Sequence, residues 1–128
     1  MMFDTVRLTE NTKRHLTSIK RATGIDQWNI LCRWSLCLSL RQEQPISNEV
    51  DGELSNVEMT WRTFAGQHDQ LYSALVLMAH HREDSNILVG QFLRLHIQRG
   101  ASTLASSSKS GGLKAILQQP EVLATKAA

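Results

Sequence analysis

A run over residues 28–40 that leaves almost no polar face constrains this chain more than any other feature. Trp28, Ile30, Leu31, Cys32, Trp34, Leu36, Cys37, Leu38 and Leu40 fall on nearly every side of a helix, with only Asn29, Arg33, Ser35 and Ser39 between them. A helix that is apolar all round is a buried one. With its cap it has about 15 residues, too few to span a bilayer. Gly24 can take the left-handed conformation that closes a preceding helix. Asp26 is then placed to cap the new one, and Ile25 and Ile30 occupy the two positions of a hydrophobic staple. The expectation is a core helix in a compact domain, shared with a second subunit.

A chain of 128 residues fits one domain and can bury a real core. Its net charge of +2 hides a segregation. Residues 1–41 carry seven Lys/Arg against three Asp/Glu, whereas residues 42–60 carry five acids and no base. Such an arrangement favours a polyanion-facing surface at one end of the chain. Cys32 and Cys37 lie five apart on the apolar helix and so on different faces, which suits neither a disulfide nor a metal pair. Buried free thiols fit a reducing compartment. The start of the chain has no apolar signal-peptide core, so the expectation is a cytoplasmic protein with no membrane association.

Ahead of the apolar helix, Thr5-Val6-Arg7-Leu8-Thr9 alternates, with Val6 and Leu8 on one side. This is the pattern of a half-buried strand. One short strand needs a partner, such as the same strand of a second subunit; the alternative is an unstructured arm. Thr9 then caps a helix whose buried stripe is Thr12, Leu16, Ile19 and Thr23. Lys13 and Lys20 are seven apart, as are Arg14 and Arg21, which makes two basic rows on the opposite face. A charge run on a helix is ordinarily a solvated face. Here no acid after Glu10 balances it, and Arg7 on the strand adds to it. Strand, basic helix, Gly-containing turn and buried helix is the order of ribbon-helix-helix DNA binders, in which strands from two subunits pair and enter the major groove.

Pro45, Gly52 and an acidic composition read as a surface loop over 42–56. Val57, Met59 and Trp61 alternate with Glu58, Thr60 and Arg62, an extended pattern ended by a turn at Ala65-Gly66. Leu71, Ala74, Leu75 and Met78 predict a helix over 67–82, broadened by Tyr72, Val76 and Leu77 into a buried face. A last helix is expected over 85–99, with Gly100 as its stop. The Ser/Gly-rich run at 106–112 has linker composition, so the domain is expected over 1–104 and a flexible tail over 105–128. The fold class that results is mainly α: a short N-terminal strand, then a helix bundle, ribbon-helix-helix-like in its N-terminal half and oligomeric.

Few side chains here can run a reaction. His80, His81, Glu83 and Asp84 form the densest cluster of possible ligands or bases, but adjacent histidines on a helix diverge by about 100°. His96 reads as packed or hydrogen-bonded, and His15 and His68 have no partner at a telling spacing. There is no phosphate-cradling Gly-rich loop and no zinc spacing. The expectation is no catalytic centre, no metal and no cofactor.

Arg7-Leu8-Thr9, Thr23-Gly24-Ile25 and Trp28-Asn29-Ile30-Leu31-Cys32-Arg33-Trp34-Ser35-Leu36-Cys37, with Ser55-Asn56-Val57-Glu58-Met59-Thr60-Trp61-Arg62 and Leu95-His96-Ile97-Gln98-Arg99-Gly100, carry a resemblance. Across most of residues 5–104 the chain resembles the DndE family of DNA sulfur-modification (DNA phosphorothioation) proteins. The resemblance implies a small, mainly helical, tetrameric accessory protein. It implies work beside DndC and DndD, where sulfur replaces a non-bridging oxygen of the DNA backbone. It also implies binding of nicked double-stranded DNA through surface lysines rather than catalysis. It singles out no individual lysine. The helical geometry selects Lys13, Arg14, Lys20 and Arg21, with Arg7, as the DNA-binding set. Two other classes stand beside this one. A ribbon-helix-helix transcription regulator would read bases with Thr5, Arg7 and Thr9, and a metal-dependent nickase would depend on the His80–Asp84 cluster.

Overall fold

The computed structural model describes residues 4–117, without the side chains at 48 and 108–117. The N-terminal alternation forms β1 (Thr5–Thr9), with Val6 and Leu8 buried. The Thr9 hydroxyl accepts from the Thr12 amide at 3.2 Å and so opens α1 (Glu10–Thr23). Thr12, Leu16 and Ile19 face inward from α1. Gly24 closes α1 at φ 77°, donating to Lys20 O at 2.9 Å. Only a residue without Cβ takes that conformation freely.

The apolar run becomes α2 (Trp28–Leu40), with Leu31, Cys32, Ser35, Leu36, Leu38 and Ser39 buried. Its opposite face is half-buried rather than exposed. The cap differs from expectation. Gln27 holds the cap position with no side-chain bond, and Asp26 instead pairs with Lys20 at 3.4 Å. One residue's shift moves the carboxylate off the helix axis, and a nearby ammonium takes it.

β1 pairs antiparallel with β2 (Leu54–Thr60) of the same chain, Thr5 opposite Thr60 and Arg7 opposite Glu58. The partner expected from a second copy is therefore internal. The ladder is irregular between Arg7 and Thr9, where the Ser55 hydroxyl donates to Leu8 O at 2.8 Å. The extended alternation stops at Thr60, because its hydroxyl accepts from the Thr63 amide and starts the short helix α3 (Trp61–Ala65). Trp61 is consequently a core residue, stacked on Phe64 at 5.2 Å, with its indole N–H held by Asp69.

Two helices complete the fold, α4 (Asp69–Arg82) and α5 (Val89–Leu117). The stripe expected to bury α4 lies on its wrong side. Val76 and Ala79 are buried, with Tyr72 half-buried against Phe64, while Leu71, Leu75, Leu77 and Met78 are exposed. The stop at Gly100 is also absent, since α5 passes straight through it. A Cβ at Gly100 would sit 1.6 Å from Ser35 O, so this glycine lets the α5 backbone lie directly on α2. The helix continues to Leu117 through the linker-like run; the rest of the expected tail, 118–128, lies outside the described residues.

The acidic segment is strapped to α5 rather than solvated throughout. Ile46 is buried, Gln98 donates to Glu49 at 2.9 Å, and Arg94 pairs with Asp51 through both nitrogens of its fork. That pairing raises the Arg94 pKa, chiefly through the hydrogen bond to Asp51.

Candidate nucleic-acid interface

The 3.6-residue repeat places Lys13, Arg14 and Arg21 on one outward face of α1, where with Thr17, Ser18 and Ala22 they line a shallow groove that has Glu10 at its N-terminal end. Thr17 turns its hydroxyl back to Lys13 O at 2.7 Å. Lys13 donates to Asn56 Oδ1 of β2 at 2.8 Å, and Arg14 to Asn11 Oδ1 at 2.8 Å. These are neutral amide partners. They orient the cations without cancelling their charge, and among the described residues no ion pair is formed by any of the three.

Lys20 and Arg7 are held differently. The Lys20 ammonium lies 4.2 Å from the centroid of the Trp28 ring and 3.4 Å from Asp26. An ammonium over an indole face is attracted by the ring quadrupole, so Lys20 secures the turn between α1 and α2. Arg7 donates from Nε to Ser55 O at 2.8 Å and lines a separate groove with Glu58 and Arg94. Of the five expected cations, the structure thus gathers three and sets two apart. The base-reading strand of the regulator alternative loses Thr9 as well, which is buried and bonded to Gln98 at 2.7 Å.

The nickase alternative rests on side chains that do not converge. His80 bonds to Ile87 O at 2.8 Å and meets Phe92 edge-on, while His81 is exposed. Asp84 turns outward in the left-handed region at φ 50°. Among the described residues no three His, Cys, Asp or Glu side chains are placed to hold one metal ion.

Glu83 instead enters a buried chain that sequence spacing does not reveal. Arg99 Nε donates to Ser39 Oγ at 2.8 Å, and Ser39 lies 2.7 Å from His96 Nδ1. His96 Nε2 lies 3.1 Å from Glu83 Oε2, and Glu83 Oε1 accepts from the Ile46 amide at 2.8 Å. A guanidinium only donates, so the serine hydroxyl is free to donate to Nδ1, which leaves the ring proton on Nε2 facing the carboxylate. Burial pushes His96 down to about 4, helped by Arg99 and opposed by Glu83, so the ring is neutral at pH 7. The hydroxyl–imidazole–carboxylate order is that of a nucleophilic triad. Here Ser39 and His96 are closed off from solvent and every member is satisfied, so the chain clamps α2, α5 and the acidic loop together. Of the two thiols Cys32 is buried and Cys37 half-buried: burial raises Cys37 and pushes Cys32 up to about 12.

A model of the family described as DNA sulphur modification protein DndE matches residues 5–111. The chain belongs to the DndE family. Its membership fits a role in DNA sulfur modification. No curated protein matches this DndE-family chain. The match takes in β1, the basic face of α1 and the α2–α5 crossing, so the groove lies inside the matched region. No helix among the described residues is long and apolar enough to cross a membrane.

Proposed function

We propose that this DndE-family protein is an accessory DNA-binding subunit of the DNA sulfur-modification machinery, acting beside DndC and DndD as a cytoplasmic homo-oligomer, a tetramer, with no catalytic centre of its own. The observation that carries the reading is the α1 groove. Lys13, Arg14 and Arg21 line one groove, Lys13 and Arg14 are oriented by amide partners, and among the described residues none of the three forms an ion pair. Three cations on one helical face suit phosphate contact, and phosphate contacts position a protein without reading sequence. The basic rows of α1 run from Lys13 to Arg21, a rise of roughly 12 Å. A nick lowers the cost of bending the duplex onto such a face, which favours nicked over intact DNA.

Binding of intact, nicked and random-sequence duplexes of one length, titrated against salt, tests this. The expected result is tighter binding to the nicked duplex, no discrimination among sequences, and a steep salt dependence. Sequence-selective binding with a shallow salt slope would point to a base-reading regulator. Metal-dependent strand cleavage would make the protein a nickase.

A further inference from the structure

Ser18 stands in the middle of the basic groove of α1. Thr17 and Thr23 on the same helix turn their hydroxyls back to the carbonyls of Lys13 and Ile19, at 2.7 and 2.8 Å. That is the local way for a helical hydroxyl to find an acceptor. Ser18 does not take it: among the described residues its half-buried side chain has no partner. Ser18 lies four residues after Arg14 and three before Arg21, and residues at those spacings are neighbours on a helix surface. The hydroxyl is therefore flanked by the two arginines of the groove, with Lys13 on the adjacent row.

Carboxylates bracket these cations along the chain. Glu10 lines the N-terminal end of the groove. Past Arg21 and the Gly24 turn comes Asp26, whose side chain is 92% exposed even with Lys20 at 3.4 Å. A continuous strand laid lengthwise on α1 would meet one acid or the other. A single anion set between Arg14 and Arg21 meets neither. A backbone phosphodiester brings one negative charge, whereas a phosphate monoester carries roughly 1.5 to 2 at pH 7 and three acceptor oxygens. Three cations with a hydroxyl donor among them match the monoester. Each guanidinium fork can take two oxygens, and a serine hydroxyl can donate to one more.

We infer that the α1 groove seats the terminal phosphate of a nucleic-acid strand at a break, bound by Arg14, Ser18 and Arg21 with Lys13 as a further charge. The inference rests on the proposed function and deepens it. The phosphate exposed at a nick is recognised in its own right, beyond the easier bending of the duplex.

Three nicked duplexes of one sequence test this, carrying a 5′-phosphate, a 3′-phosphate or only hydroxyls at the break. They are titrated with the full chain and followed by fluorescence anisotropy. One of the two phosphorylated duplexes should bind about tenfold tighter than the hydroxyl duplex, the scale of one hydrogen bond to a charged group. Ser18→Ala keeps a good helix former in place and should cut that advantage to about threefold or less, with a smaller effect on the hydroxyl duplex. Lys20→Ala, outside the groove, should keep the advantage whole. Equal affinity for all three duplexes would overturn the inference, as would an advantage that Ser18→Ala leaves intact or that Lys20→Ala removes equally. Inorganic phosphate that displaces the duplex as well as an equal concentration of phosphorylated oligonucleotide would also overturn it, by marking a free-ion site. If nicked duplexes bind better than intact ones whatever their ends, the proposed function stands and only this seat is wrong. If no duplex binds, the proposed function fails and the inference falls with it.

Discussion

Gly100 and His96 show how single residues set this fold. The space a Cβ would need at Gly100 is already taken by Ser35 O, and backbone atoms on both helices cannot both move away. Gly100→Ala should destabilise by about 3 kcal/mol or more, at the upper end of overpacking costs, and lower the unfolding midpoint in urea. A stable Ala variant would show that the α2–α5 crossing is looser than drawn. From sequence, a glycine after a helical pattern reads as a stop. Nothing local tells a stop from a contact, because the reason for Gly100 lies 65 positions away in sequence. His96 has the same character: its partners at 39 and 83 are distant in the chain, and spacing cannot pair them. Its pKa falls from 6.5 unfolded to about 4 folded, so below pH 6.5 the unfolded state binds the extra proton. Stability present above pH 6.5 is lost as pH falls towards 4, by on the order of 3 kcal/mol in all. Urea unfolding at pH 7 and pH 5 should show about 2 kcal/mol of this loss. His96→Gln should be less stable than wild type at pH 7 and should flatten the pH dependence in this window.

At the scale of elements, α1 and α4 divide what patterning reveals from what it conceals. The inward stripe of α1 and its Thr9 cap were legible because polarity and burial agree there. In α4 they disagree: its most apolar stripe is the exposed one, and periodicity alone cannot name the partner that covers a face. The basic rows of α1 were legible too, but not their division. Asp26 comes from the turn that follows and Trp28 from the start of α2, and they remove Lys20 from the free cations. Lys13→Ala with Arg21→Ala should weaken binding to all duplexes alike and reduce the salt slope by about one unit per lost phosphate contact. Lys20→Ala should leave the slope nearly unchanged. It should instead alter Trp28 fluorescence and lower stability by about 0.5–1 kcal/mol, the scale of a surface cation–π contact. A Lys20→Ala slope change equal to that of Lys13→Ala would restore Lys20 to the interface.

Across the whole molecule, the segregated charge of the sequence is folded into a boundary. The acidic segment does not drift free of the basic helix: Glu53 O accepts the Glu10 amide at 2.7 Å, at the very start of α1. Asp51 is neutralised by Arg94 and Glu49 is bonded to Gln98, but Glu10 and Glu53 remain exposed beside the end of α1 that carries Lys13. Glu10 lines the end of the groove, and at 0.1 M salt the Debye length is about 10 Å, so these carboxylates oppose phosphate approaching from that end. On the proposed DNA-binding reading, they would limit the reach of DNA along α1 and favour contact towards Arg21. Glu10→Gln with Glu53→Gln should tighten duplex binding by about twofold to fivefold at low salt, since neither side chain holds the fold and only the field changes. The gain should fade near 1 M salt, where the Debye length falls to about 3 Å. The salt slope itself should steepen only if the removed boundary admits a further phosphate. Fluorescence anisotropy of a labelled nicked duplex across that range distinguishes the outcomes. An affinity unchanged at low salt would mean that DNA does not approach along α1, and would move the interface elsewhere on the protein.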